Sequence, residues 1–239
     1  METRTRRALF VHGAGGGGWE WGIWRRVFAA RGWDCMAPDL QPVAAGLAVT
    51  RLDDYAAQLA ADARCADAGV WIGASLGGLL ALMRAAQDAP AALVLINSLP
   101  GAEFTRSLRA PNPAAVVPWG RERSLASTLR ALPDGDDAAR LFAFRHWRDE
   151  SGAVLRDALA GVLIARPLCP VLVVASERDH DVPLATSRAL AESLGAELRI
   201  VARASHVGPL LGRAAASIAL ETLAWLECNT TAAHRDGPR

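Results

Sequence analysis

Short, almost wholly apolar runs alternate with longer stretches of helical periodicity along most of this chain. The runs at Ala8–His12, Asp34–Ala37, Gly69–Gly73, Ala91–Asn97, Pro170–Ala175 and Glu197–Ala202 predict strands. Most are β-branched or leucine-rich with no polar face, as strands covered on both sides should be. Between them the pattern predicts helices over Trp21–Arg31, Leu52–Ala66, Leu76–Gln87, Leu184–Leu194 and Arg213–Glu227. Strand–helix alternation predicts an α/β fold: a mostly parallel, doubly wound sheet of about six strands, flanked by helices through right-handed crossovers.

One segment breaks this rhythm. Residues Ser98–Pro167 contain no convincing strand, and Pro100, Pro111, Pro113 and Pro118 interrupt the first part. Helical stretches follow near Leu125–Leu132, Asp136–Trp147 and Gly152–Val162. That is long for a connection, so a small helical cap inserted at about 98–167 is expected. An ordinary pair of crossover helices is the competing reading. The polar stretch from Asn229 is expected to be a flexible tail over 229–239. There is no internal repeat, and 239 residues fit one domain spanning the chain, 1–239.

Composition narrows the function classes. A formal net charge of +1 argues against nucleic-acid binding, which needs basic excess to neutralise phosphates. All 26 basic residues are arginine; with the abundant alanine this reads as GC-rich coding rather than an arginine-based function. Cys35, Cys65, Cys169 and Cys228 form no CxxC pair, so neither a thiolate metal site nor a disulfide is expected. The first apolar stretch, Ala8–Val11, is too short for a signal peptide or membrane span, and a cytoplasmic protein is expected. The pattern specifies no oligomeric state.

The chemistry concentrates at three strand ends. Gly69-Val-Trp-Ile-Gly-Ala-Ser-Leu-Gly-Gly-Leu-Leu runs from an apolar strand into an apolar helix and contains Gly73-x-Ser75-x-Gly77. A sharp strand-to-helix turn strains and exposes such a serine, and glycines two residues either side admit crowded backbones. Ser75 is the candidate nucleophile. The helix N-terminus behind it favours an oxyanion, with the Leu76 N–H as the natural donor.

The second strand end is Phe10-Val-His-Gly-Ala-Gly-Gly-Gly-Gly-Trp-Glu-Trp, a loop of small residues that can bring another N–H close to substrate. A phosphate-binding P-loop is excluded, because no lysine exists. A dinucleotide fingerprint is formally present as Gly13-x-Gly15-x-x-Gly18, with Asp39 as its acid. It leaves Ser75 and the C-terminal features unexplained. His12 is read as packing and hydrogen-bonding within the loop.

The third region comprises two turns, Ser176-Glu-Arg-Asp-His-Asp-Val-Pro and Arg203-Ala-Ser-His-Val-Gly-Pro. Both follow strands, so serine, acid and histidine meet one sheet edge in that chain order. His206 would take the proton from Ser75, and a carboxylate would fix the imidazole's tautomer. Asp179 and Asp181 compete for that role, with Glu177 a weaker third. His180 reads as a loop residue.

Together FVHGAGGGGW, MAPDL, IGASLGG, VLVVASERDHDVP and ASHVGPLL resemble the α/β-hydrolase superfamily over about residues 8–227. The resemblance implies Asp179 as the acid, with Ser176 in place of the usual glycine. It implies the Ala14 and Leu76 amides as the oxyanion hole and matches the family's insertion to Ser98–Pro167. Asp39-Leu-Gln-Pro departs from the common Pro-Asp-Leu-Arg-Gly-His-Gly continuation, and the usual leading β-hairpin is missing. The His-Gly-Ala…Trp-x-Trp start looks somewhat like the hydroxynitrile lyase and plant methylesterase branch.

The implied activity is a serine esterase acting on a small or medium apolar acyl substrate through a Ser75–His206–Asp179 triad and an acyl-enzyme. No cofactor, metal or membrane span is expected. Alternatives on the same machinery are a thioesterase or lactonase, a hydroxynitrile-lyase-like or haloperoxidase-like activity, and a non-catalytic binding protein. Trp19, Trp119, Phe142 and Trp147, with Trp21 and Phe144, are candidates for an acyl pocket; core packing explains each as well.

Overall fold

The computed structural model describes residues 6–62, 65, 68–108 and 112–232. Six strands form one sheet: β1 (Arg6–Val11), β2 (Trp33–Met36), β3 (Val70–Ala74), β4 (Ala92–Ile96), β7 (Val171–Ser176) and β8 (Glu197–Val201). Their order is β2-β1-β3-β4-β7-β8, and every neighbouring pair is parallel. The chain leaves β1 towards β2 and then returns to β3 on the other side. The strand order therefore reverses between β1 and β3, where open sheets of this kind leave a crevice beyond the strand ends.

Alternation along the strands divides the core in two. Leu9 and Val11 of β1 face one layer, with α2 (Leu52–Ala61) and α3 (Leu76–Asp88). Ala8 and Phe10 face the other, with α1 (Gly22–Ala29) and α9 (Ala215–Ala232). β3 and β4 are buried throughout, which accounts for their wholly apolar sequences. β8 departs from that expectation: it is an edge strand with Glu197 exposed, and Glu197 accepts a hydrogen bond from Trp225 Nε1 at 2.8 Å.

Other differences lie at element ends. Helix α2 stops before an extended Asp62, and residues 63, 64, 66 and 67 of the expected helix lie outside the described residues. α9 runs past the predicted Glu227 to Ala232, so part of the expected tail is helical; 233–239 lie outside the described residues. Between β4 and β7 the expected helices form as α4 (Leu125–Ala131), α5 (Asp137–His146) and α6 (Gly152–Ala160). Ser124, Asp136 and Ser151 cap their N-termini. The segment also holds a pair unseen in the sequence, β5 (Val116–Val117) antiparallel to β6 (Glu150–Ser151). Two-residue strands are too short to show alternation. The remaining helices are α7 (Leu184–Leu194) and the single turn α8 (Gly208–Leu211). Among the described residues no helix is long and apolar enough to cross a membrane.

Candidate active site

Ser75 occupies the turn between β3 and α3 with φ 52° and ψ −119°, a conformation costly for any residue with a side chain. Four hydrogen bonds hold it there. Its N–H donates to Ile96 at 2.9 Å, and its carbonyl accepts from Gly78, Leu79 and Leu99 at 3.0, 3.3 and 3.0 Å. The flanking glycines act by close approach. A Cβ on Gly73 would collide with the Gly77 backbone, and one on Gly77 with the Val11 and His12 carbonyls. A Cβ on Gly13 would come within 3.3 Å of Ser75 Cβ, so the glycine loop lies directly against the serine. Leu76 is the first residue of α3, and its N–H has no intrahelical acceptor.

His206 Nδ1–H donates to Asp179 Oδ2 at 2.7 Å. The other carboxylate oxygen accepts the N–H groups of Asp181 and Val182, each at 2.8 Å. Of the three acids, Asp179 is the one bonded to His206. Asp179 is buried, Asp181 is exposed, and Glu177 is engaged elsewhere, accepting the Arg203 N–H at 2.8 Å. Burial alone would lower the proton affinity of His206. The hydrogen bond and charge of Asp179, with the charges of Asp181 and Glu20, outweigh it and raise the pKa above the ordinary imidazole value. His180 is exposed, as a loop residue should be.

Two residues that sequence reasoning missed support this histidine. Asn97, at the end of β4 with φ 44°, donates to the His206 carbonyl at 2.7 Å and to Ser176 Oγ at 2.9 Å, and accepts the Ser176 N–H. Its chain neighbours Ile96 and Leu99 hold Ser75, so one short segment ties serine and histidine together. Asp134, between α4 and α5, accepts from Ser205 N–H at 3.0 Å and Ser205 Oγ at 2.6 Å. A polar residue ending an otherwise apolar strand was a usable signal for Asn97. The Pro133-Asp134-Gly135 stretch reads only as a turn.

The glycine loop is held by three carboxyl groups. Gly13, Gly15 and Gly18 N–H donate to Glu20, Glu150 and Asp39 at 3.2, 3.0 and 2.6 Å. Gly16 N–H donates to the Gly13 carbonyl at 3.2 Å, closing a turn with Gly15 at φ +69°. Among the described residues no acceptor meets the Ala14 N–H. Asp39, the acid a dinucleotide site would direct at a ribose, is bound to the loop instead. His12 also serves the loop: Nδ1–H donates to the Gly13 carbonyl at 2.8 Å, and Nε2 accepts the Leu40 N–H at 2.9 Å.

The aromatic candidates separate. Trp21 belongs to the core, 5.1 Å from Phe10 and 5.7 Å from Trp24 between ring centroids, and is no pocket residue. Trp19 packs edge-on against Phe142 and Trp147 at 5.7 and 5.3 Å, joining the glycine loop to α5. Trp119 lies over Gly15, where a Cβ would approach its ring to 2.6 Å, and is 45% exposed. Phe144 sits beneath the Arg123 guanidinium.

The profile of the Alpha/beta hydrolase family matches residues 8–220. The chain belongs to this family. The alpha/beta hydrolase shares its fold with many solved structures, among them three at low identity. A methylesterase of Arabidopsis, MES16, aligns with a TM-score of 0.71 at 16% identity, covering 92% of this chain and 99% of that one. A pyrethroid hydrolase from Sphingobium faniae JZ-2 gives 0.70 at 18%, covering 93% and 98%. A structure reported with the metagenome-derived lipolytic enzymes LipS and LipT gives 0.68 at 21%, covering 94% of each chain. No curated protein matches the alpha/beta hydrolase.

Proposed function

We propose that this alpha/beta hydrolase is a serine esterase acting on a small or medium apolar carboxylic ester. The observation that carries this reading is the convergence on Ser75. A strained, partly exposed serine lies against the Gly13 loop, and the chain segment that fixes it also holds His206, already bonded to Asp179.

Each residue then has one role. Neutral His206 accepts the Ser75 proton through Nε2 as Oγ attacks the ester carbonyl. Asp179 holds the imidazole in the tautomer with Nδ1–H and steadies the imidazolium. The Ala14 and Leu76 amides receive the negative charge on the carbonyl oxygen. The imidazolium returns its proton to the departing alcohol, leaving an acyl-enzyme. Water, activated by His206, then cleaves it to the acid and free Ser75. The segment over 98–167 acts as a cap, with Trp119 and the Trp19–Phe142–Trp147 cluster beside the acyl group.

A fluorophosphonate should label Ser75, and p-nitrophenyl esters graded by acyl length should be hydrolysed by the wild type and not by Ser75→Ala. Turnover by Ser75→Ala at the wild-type rate would refute the mechanism. Thioesters, lactones and cyanohydrins run beside the esters identify the preferred bond.

A further inference from the structure

The proposed chemistry uses neither of the carboxyl groups buried at the glycine loop, Glu20 and Glu150. Glu20 is 2% exposed although it lies between two tryptophans in a glycine-rich stretch. Its Oε2 accepts the Gly13 N–H at 3.2 Å, and its carboxyl group occupies the space a Cβ on Gly16 would need. Gly13 and Gly16 are the two ends of one hydrogen-bonded turn whose second residue is Ala14. The carboxyl group therefore contacts both ends of the turn. Glu150 holds the next amide, Gly15 N–H, at 3.0 Å, while its other oxygen accepts the Tyr55 hydroxyl at 3.0 Å. With Gly13, Gly15, Gly16 and Gly18 all donating to protein acceptors, the Ala14 N–H among them meets no acceptor from the described residues.

We propose that Glu20 is a positioning residue for the oxyanion loop, its carboxyl group bracing both ends of the turn so that the Ala14 N–H is presented to the substrate oxygen. This rests on the reading of Ala14 as an oxyanion donor. A hydrogen-bond donor aimed in advance stabilises the transition state only while its supports hold it still.

The groups facing Glu20 are the Gly13 amide, His206, Arg148 and Asp39. Burial raises its pKa to about 8, against the lowering effect of the amide, His206 and Arg148. As a neutral acid it accepts from Gly13 without adding charge.

The test compares Glu20→Gln and Glu20→Leu in the full chain. Its readouts are p-nitrophenyl butyrate kinetics, the rate of fluorophosphonate labelling of Ser75, and thermal melting. Glu20→Leu leaves the Gly13 N–H without its acceptor; kcat should fall roughly tenfold or more with KM within about threefold, and labelling should slow in parallel. Glu20→Gln retains an acceptor oxygen and should recover most of that loss at pH 7. A Glu20→Leu protein that melts like the wild type and keeps its kcat overturns the proposal. So does a Glu20→Gln protein that folds like the wild type yet loses tenfold or more in kcat, a result that stands even if Glu20→Leu fails to fold. Wild-type protein whose Ser75 is not labelled refutes the underlying esterase reading; labelled Ser75 with unaltered Glu20→Leu turnover refutes the brace alone.

Discussion

His12 and His206 follow two strands of one sheet, His12 buried and His206 half-buried, and their surroundings shift them in opposite directions. His12 is bonded at both ring nitrogens to backbone groups. Burial drives its pKa down to about 4, against the Gly13 carbonyl, so it stays neutral and serves only to hold the loop. His206 loses water too, but an acid shares its Nδ1 proton, and its pKa rises. Desolvation alone makes a histidine a structural strut, whereas desolvation with a partnered carboxylate makes one able to carry a proton at the moment of reaction. Burial also governs Glu20, whose carboxyl group is raised to about 8 against the Gly13 amide bonded to it.

The most severe way to break this contrast is Asp179→Asn. Loss of the acceptor for Nδ1–H should lower kcat by about 10⁴-fold. Asp181→Asn, which removes only an exposed charge, should stay within about threefold. Because Asp179 is what lifts His206, and the base must be neutral, the acidic limb of any remaining activity should move to lower pH. A pH–rate profile of both variants checks this.

Asn97→Leu should come next. It deprives the His206 carbonyl and Ser176 of their partners and puts a branched side chain at φ 44°. The expected cost is about 3 kcal/mol in urea unfolding. An unfolding midpoint unchanged from wild type would show that His206 does not depend on the end of β4.

His12 sharpens the comparison from the other side. Its folded pKa lies below the unfolded value, so the unfolded chain binds the proton first. Stability is full above about pH 6.5 and is lost as pH falls towards 4. The loss should be of order 3 kcal/mol and should be absent from His12→Gln, read as the pH dependence of urea midpoints. Asp134→Ala carries the smallest effect. The Ser205 N–H and hydroxyl lose one acceptor at a half-buried site, so about 1 kcal/mol of stability and a few-fold loss of kcat are expected, measured by melting and ester turnover.

Much of this fold was legible in the chain because the requirements are local. Parallel strands buried on both faces need uninterrupted apolar runs, and β3 and β4 appeared as such. The Ser75 turn needs Gly73 because its backbone meets that of Gly77 four residues on, although Gly77 itself is required by the distant Val11 and His12 carbonyls. The small inserted sheet was not legible, because its strands are two residues long and pair across more than 30 positions. The edge character of β8 depends on its place in the sheet order, which no window of sequence contains.

The sequence by itself therefore determined the fold class, the strained serine and the presence of an acid-bearing turn and a histidine-bearing turn. Tertiary structure decided which acid meets the histidine. Asp179, Asp181 and Glu177 are chemically alike and adjacent, and only the path of the two turns places one carboxylate beneath His206. It also decided that Trp21 belongs to the core while Trp119 covers the glycine loop, and that Glu20 is buried beside Gly13. The physical reason is the same in each case. Local backbone geometry is specified by neighbours in the chain, but the environment of a polar or aromatic side chain is set by elements that only the folded sheet brings together.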